Sequence, residues 1–217
     1  MRDTFQLYSY FRSSASHRVR IALHYKSLPF EYVPVHLVKE GGEQFKPEYK
    51  KLNPHSQVPC LVHNGRPLAQ SMAILEYLEN ICPQPPLFPI DPYERGLVIQ
   101  ICEIINSGIQ PLQNLSVTAE LEKRFHITAE QKTAWIHHWI QNGLNSVETI
   151  LKKTAGAFCL GDTVTTADCF LIPQIFSAQR FGVDLSPYKQ ILLVNEHTSE
   201  LEAFRLAEPS RQPDFSA

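Results

Sequence analysis

Apolar and polar positions alternate in short runs along roughly the first eighty residues and recur every three or four residues beyond them. TFQLYSY (4–10) has the two-residue period of a half-buried strand, and SHRVRIALHYK (16–26) reads as a helix. EYVPVHL (31–37) alternates again around Val33 and Val35, so the three runs predict a β-α-β unit. After a polar stretch, PCLVHN and RPLAQ flank Asn64-Gly65, a pair that tolerates the positive φ of a two-residue hairpin turn, and SMAILEYLENIC follows as a helix. Further on, Leu97, Val98, Ile101, Ile104, Ile105 and Ile109 repeat at helical spacing, as do Ile136, Trp139, Ile140, Leu144, Val147, Ile150 and Leu151. The second half is therefore expected to be a helical bundle. Between the halves, PQPPLFPIDP (83–92) holds five prolines, which cannot continue a helix and stiffen an extended connection. The expected organisation is an α/β domain over 1–82, a linker over 83–92 and an all-α domain over 93–217. Within the latter, GDTVTTADCFLIPQIF places Thr165 three residues before Asp168, the spacing of a capping box at the head of a helix.

Composition narrows the partners. With 43% hydrophobic residues in 217 the chain can bury a proper core, and a formal net charge of -2 with no sustained Lys/Arg run argues against nucleic acid. The first residues, MRDTFQLYSYFRSS, carry an acid and no apolar leader, and no run approaches the roughly 18 apolar residues of a membrane span. A cytoplasmic protein without membrane contact is expected. The five cysteines form no CxxC pair, so reduced, packed thiols are expected rather than a zinc or dithiol site. Neighbouring His137 and His138 diverge by about 100° on a helix, and His17 and His24 lie about 10 Å apart along one, so no metal site is expected.

Chemistry concentrates at three places. SYFRSSASHRVRIAL sets Ser13, Ser14 and Ser16 at a strand-to-helix turn, where free N–H groups and the helix dipole favour an anion; a simple serine cap accounts for one of the three hydroxyls. In LNPHSQVPCLV, Val58-Pro59 stands just before a strand, and a cis bond there would turn the Val58 backbone toward a ligand. In LAQSMAILEYLE, Gln70 and Ser71 open another helix and can receive a carboxylate, or can serve as an ordinary N-cap.

Taken together, the serine-led strand-turn-helix, the NPxxxVP segment, the QS pair, the proline linker and the helical second half resemble the glutathione transferase family. SYFRSSASHRVRIAL, GGEQF, LNPHSQVP, QSMAILEYLE, GIQPLQNLS, AQRFGVDLSPY and the terminal RQPD resemble its zeta class, which includes maleylacetoacetate isomerase. The resemblance implies a thioredoxin-like N-terminal domain, a helical C-terminal domain, a homodimer, glutathione as cofactor and a cis Val58-Pro59 bond. It also implies a glutathione-dependent cis-trans isomerase of maleylacetoacetate in phenylalanine and tyrosine catabolism, working by reversible thiolate addition to the double bond. It assigns Ser13 to the glutathione sulfur, with Ser14 as helper. The cofactor contacts it implies are Ser13, Ser14, Ala15, Ser16, His17, Arg18, Gln44, Val58, Pro59, Gln70, Ser71, Gln110, Asn114, Leu115 and Ser116. For Gln44, Gln110 and Asn114 the other role is to satisfy local backbone groups. Arg12 and Arg180 are the candidates for the substrate's carboxylates, through the bidentate fork of arginine, or else for surface salt bridges; Arg20 is expected to be solvated or paired.

Two positions depart from the family's SSCxW pattern: Ala15 replaces the cysteine and His17 the tryptophan. The first removes a protein thiol at the turn; the second either touches substrate or caps and packs. This form of the turn also resembles the maleylpyruvate isomerases, so maleylpyruvate is an alternative substrate. A general transferase acting on small acids or halo-acids, and a transferase-like interaction module without catalysis, are the readings from other classes.

Overall fold

A computed structural model describes residues 4–216. The first unit runs to Leu87 and takes up the chain again from Glu200; the second spans Phe88–Ser199. The return of the last residues to the first unit differs from the sequence reading, which assigns them to the helical domain.

The first unit is a four-stranded sheet of order β2-β1-β3-β4, with β1 (Phe5–Ser9) parallel to β2 (Phe30–Pro34) and antiparallel to β3 (Cys60–His63), which forms a hairpin with β4 (Arg66–Ala69). Asn64 (φ 50°) and Gly65 (φ 76°) make the turn, both in the left-handed region that the Asn-Gly pair tolerates. The parallel pairing requires a crossover, supplied by α1 (Ser14–Tyr25); α2 (Pro47–Leu52) and α3 (Ser71–Ile81) complete the thioredoxin-like arrangement. Leu7, Val19, Leu23, Ile74, Leu75 and Leu78 are wholly buried, each such side chain contributing about 1.5–3 kcal/mol. A second apolar cluster gathers Tyr10, Phe11, Val35, Tyr49, Val58, Cys60 and Val62 around the strand ends that carry the candidate residues.

Near the end of α1, Lys26 is buried and donates to Glu79, to the Cys82 carbonyl and to the Pro85 carbonyl (2.7, 2.7 and 2.8 Å), anchoring the proline-rich segment from inside. The short α9 (Glu202–Ala207) packs on α1, and Gln212 donates to the carbonyls of Leu206 and Glu208, folding the last residues back beyond it.

The second unit is helical: α4 (Pro92–Gly108), α5 (Leu115–Phe125), α6 (Ala129–Thr154), α7 (Thr166–Arg180) and α8 (Lys189–Ser199). The apolar series read at helical spacing are its core, with Ile101, Ile105, Ile140, Leu144 and Val147 at or below 1% exposure. Asp168 is fully buried; its carboxylate reaches back to Thr165 N–H (2.7 Å) and Oγ1 (3.0 Å) and also accepts from Cys159 N–H (2.8 Å). Glu148 of α6 accepts the N–H groups of Gln190 and Ile191, satisfying the start of α8 from a different helix.

Candidate active site

Residues 10–13 form a turn closed by Ser13 N–H donating to the Tyr10 carbonyl (2.9 Å). Ser13 then caps α1, its Oγ accepting from Ser16 N–H (3.2 Å). A hydroxyl has one proton and two lone pairs, so the cap occupies an acceptor site and leaves the O–H available to donate. No acid lies in the first turn of α1, the position where one would most directly offset the positive end of its dipole. Ser13, Ser14 and Ala15 are partly exposed, whereas Ser16, His17 and Arg18 are buried, and Ser16 Oγ has no hydrogen-bond partner among the described residues.

The start of α3 stands beside this element. Arg18 Nη1 donates to Ser71 Oγ (3.0 Å), so two residues assigned separately in the sequence meet in a buried contact. Gln70, by contrast, does not act as the side-chain cap: its amide is exposed and its backbone sits at φ 73°, ψ 116°. A non-glycine residue held there costs of order 1–3 kcal/mol, and such strain gathers where a ligand is gripped. The first turn of α3 also lacks an acid.

The Val58-Pro59 peptide is cis, and both residues are buried. The approach to it is pinned by the Gln57 carbonyl, which accepts from Tyr49 Oη (2.6 Å) and Asn53 Nδ2 (2.7 Å). Gln44 is 8% exposed; its Nε2 donates to the Leu37 carbonyl (3.2 Å), while Oε1 is buried with no partner among the described residues. Gly42 (φ 103°) allows this, because a Cβ there would fall 2.6 Å from the Gln44 amide. Two helix N-termini without acids and an exposed glutamine at a strained backbone position can donate to carboxylate ends, and the orphaned Gln44 Oε1 adds one acceptor for a ligand N–H, a set suited to a small peptide.

A family profile of the glutathione S-transferase N-terminal domain matches residues 3–80. The maleylacetoacetate isomerase of Rattus norvegicus is 50% identical over 211 residues, covering 97% of this chain and 95% of the relative. The chain belongs to the zeta-class glutathione transferase family. A bacterial zeta-class maleylpyruvate isomerase in its holo form superposes with a TM-score of 0.94 at 42% identity, over 97% of this chain and 100% of that one. The Anaeromyxobacter dehalogenans maleylacetoacetate isomerase with dicarboxyethyl glutathione and citrate in its active site gives 0.88 at 42% identity, over 99% of each chain.

In this zeta-class chain the remaining candidates fall into two groups. Arg12 is exposed, held by Tyr10 Oη (3.1 Å) and lying over the Phe11 ring at 5.0 Å, so its guanidinium is aimed rather than loose. Arg180 is also exposed and lies over Phe181 at 4.3 Å. In the second unit Asn114 Oδ1 accepts from Ser116 N–H (3.0 Å) and Oγ (3.1 Å), a local cap of α5; Leu115 is exposed and Gln110 partly so.

His17 is the family departure that the structure makes most specific. The ring is 3% exposed, and its pKa is driven well below the ordinary histidine range by burial, with the Arg20 charge adding to it. It packs, and a substrate contact would require it to leave that position. The unfolded chain takes up a proton on His17 below about pH 6.5 and the folded chain does not, so stability falls as pH drops below that value, by up to about 1.4 kcal/mol per pH unit. His24 shifts in the same direction, again through burial first and Arg20 second. Thermal unfolding followed from about pH 8 to 5 is expected to show this slope, and His17→Phe to reduce it to the part that His24 contributes, since phenylalanine gains no proton on unfolding.

With Ala15 in place of the family cysteine, the thiol nearest in sequence to the cis bond is Cys60, whose pKa burial raises to about 11. Cys60 is thus a packing residue. Of the two expectations for Arg20, solvated or paired, the structure has the second: it is fully buried and hydrogen-bonded, and together with Asp214 of the terminal RQPD it contacts the Tyr10–Ser13 turn. A partner 203 positions away in sequence leaves no local pattern to detect.

Proposed function

We propose that this protein is a glutathione-dependent cis-trans isomerase that converts maleylacetoacetate to fumarylacetoacetate. Bound glutathione would supply a thiolate that adds reversibly to the cis double bond, permits rotation about it and departs unchanged. Ser13 carries the reading: its Oγ is fixed by the Ser16 N–H while its proton remains free to donate at the helix N-terminus. A thiol of pKa near 8.5 is only a few per cent ionised at pH 7, and lowering it by about two units takes ~2.7 kcal/mol of preferential stabilisation. A directed hydroxyl and a helix dipole with no acid in its first turn are of that order together.

In the first unit the proposal gives Gln70 and Ser71 the γ-glutamyl end, Val58 the cysteinyl backbone and Gln44 a further polar contact through its orphaned Oε1. Ser14 stands beside Ser13 as helper, and Arg12 takes a substrate carboxylate. Gln110, Asn114, Leu115, Ser116 and Arg180 are carried as cofactor- and substrate-binding residues on the family pattern. A dicarboxyethyl group on the sulfur of glutathione, as held by the Anaeromyxobacter relative, is the product expected when a thiol adds to a four-carbon unsaturated diacid. That chemistry fits the same reaction class. The proposal places the enzyme in phenylalanine and tyrosine catabolism, in the cytoplasm, as a homodimer.

Maleylpyruvate is the second reading, favoured by the 0.94 TM-score to a maleylpyruvate isomerase. Following the ultraviolet absorbance of each compound with the purified protein, with and without glutathione, decides between them. Faster isomerisation of maleylacetoacetate is expected; faster turnover of maleylpyruvate would replace the substrate, and no glutathione-dependent isomerisation of either would overturn the proposal.

A further inference from the structure

The turn that presents Ser13 is held by residues outside both the turn and the family's serine motif. Arg20 is wholly buried on α1; its Nε donates to the Ala207 carbonyl (2.9 Å), Nη1 to Ser9 Oγ (3.3 Å) and the Tyr10 carbonyl (3.4 Å), and Nη2 to the Phe11 carbonyl (3.2 Å). From the other end of the chain, Asp214 Oδ2 accepts from Phe11 N–H (3.0 Å) and Oδ1 from Tyr32 Oη (2.7 Å). The peptide joining Tyr10 to Phe11 is thus gripped at its oxygen by a cation and at its N–H by an anion, and the next carbonyl by the same cation. Bonds with one ionised partner are stronger than neutral ones of the same geometry, and those of Arg20 are shielded from water. The segment adds a ring contact: Phe215 meets Phe11 edge-on at 5.5 Å, and Phe11 is the ring over which Arg12 lies.

Capping explains Ser13 and packing explains Phe11, but neither requires an acid 203 positions away to reach this one amide. We propose that the C-terminal segment around Asp214 is a positioning element of the active site, which fixes the Tyr10–Ser13 turn through Phe11 and so sets where the Ser13 hydroxyl and the Arg12 guanidinium point. The inference rests on the reading of Ser13 as donor to the glutathione sulfur. Asp214 touches neither substrate nor cofactor and acts through the turn.

Three variants test it: Asp214→Asn, which keeps the size and one acceptor but not the charge; Asp214→Ala; and Tyr32→Phe, which removes the other partner of the carboxylate and leaves the Phe11 contact intact. Three quantities are read: hydrogen exchange of the Phe11 amide in ligand-free protein, the pKa of enzyme-bound glutathione from thiolate absorbance, and KM for glutathione. Loss of a charge-assisted bond is expected to raise KM about fivefold in Asp214→Asn and about tenfold or more in Asp214→Ala, with the bound thiol rising by about half a unit and one unit. Phe11 exchange accelerates in step. Tyr32→Phe is expected to lower the melting temperature yet leave all three quantities near wild type. Should Asp214→Ala fail to fold, Asp214→Asn against Tyr32→Phe carries the comparison. The proposal is overturned when the Asp214 variants that fold keep wild-type values, or when Tyr32→Phe moves them as far for an equal loss of stability. A bound thiol unmoved by Ser13→Ala would instead remove the reading of Ser13, while Phe11 exchange would still report on the clamp.

Discussion

Replacing Ser13 with alanine is expected to lower kcat/KM for glutathione-dependent isomerisation at neutral pH by up to about 25-fold, the fall in thiolate fraction at pH 7 if the bound thiol lost the whole two-unit shift, with the surviving helix dipole setting this as the upper limit. The loss has a signature that separates it from simple unfolding. Without the hydroxyl donor the bound thiol returns toward its ordinary pKa near 8.5, so activity recovers as pH is raised toward that value. The alanine also removes the cap on α1, at about 1 kcal/mol, and this part appears in thermal unfolding. Ser13→Thr keeps both the cap oxygen and the proton, so it is expected to restore most of the activity and nearly all the stability. Steady-state kinetics across pH, with a thiolate titration of each variant, make the comparison. A Ser13→Ala enzyme with a wild-type pH profile would transfer the role of donor elsewhere, Ser14 being the nearest hydroxyl.

The largest loss of stability is expected at Asp168. Burial pushes its carboxyl pKa upward, and the donors from Cys159 and Thr165 pull it back. Asp168→Ala removes the acceptor for three donors and leaves them buried without a partner, at a cost of about 3–5 kcal/mol. For a chain of this length that corresponds to a fall in melting temperature on the order of 10 °C. Asp168→Asn fills the same volume but turns an NH₂ group toward one of those donors, so it is expected to recover only part of the loss. Circular dichroism melts of the three proteins check the order, and a fall of less than about 2 °C in Asp168→Ala, equivalent to less than about 1 kcal/mol, would show that water or a neighbouring group replaces the carboxylate.

What could be seen in the sequence follows from range. The β-α-β unit, the Asn64-Gly65 hairpin, the helices led by Ser13 and Ser71 and the Thr165–Asp168 box depend on residues within a few positions of each other, and the structure has all of them. The six-residue α2 was lost in a polar stretch because so short a helix has hardly any periodicity to display. For Arg20 the sequence leaves solvation and pairing open, because one of its acceptors in the buried state, the Ala207 carbonyl, lies 187 positions on. The Gln70-Ser71 pair marks the start of α3, but the positive φ of Gln70 is set by tertiary structure rather than by residue type. For the proposed site, then, the family pattern lies in the local sequence, and the distant residues that support the turn do not.

The packing of α9 and Asp214 into the first unit also dictates an order of events when the chain is made. The sheet and α1 emerge early, with the Arg20 guanidinium already committed to the interior of a helix that has no Ala207 carbonyl to receive it. All of residues 88–199 must be synthesised before that partner and Asp214 exist. Until then the nascent first unit holds an Arg20 bonded only to Ser9, Tyr10 and Phe11, with Nε lacking its Ala207 acceptor and the Phe11 N–H lacking Asp214, so the turn that carries the proposed donor Ser13 is clamped only after residues 88–199 have been made.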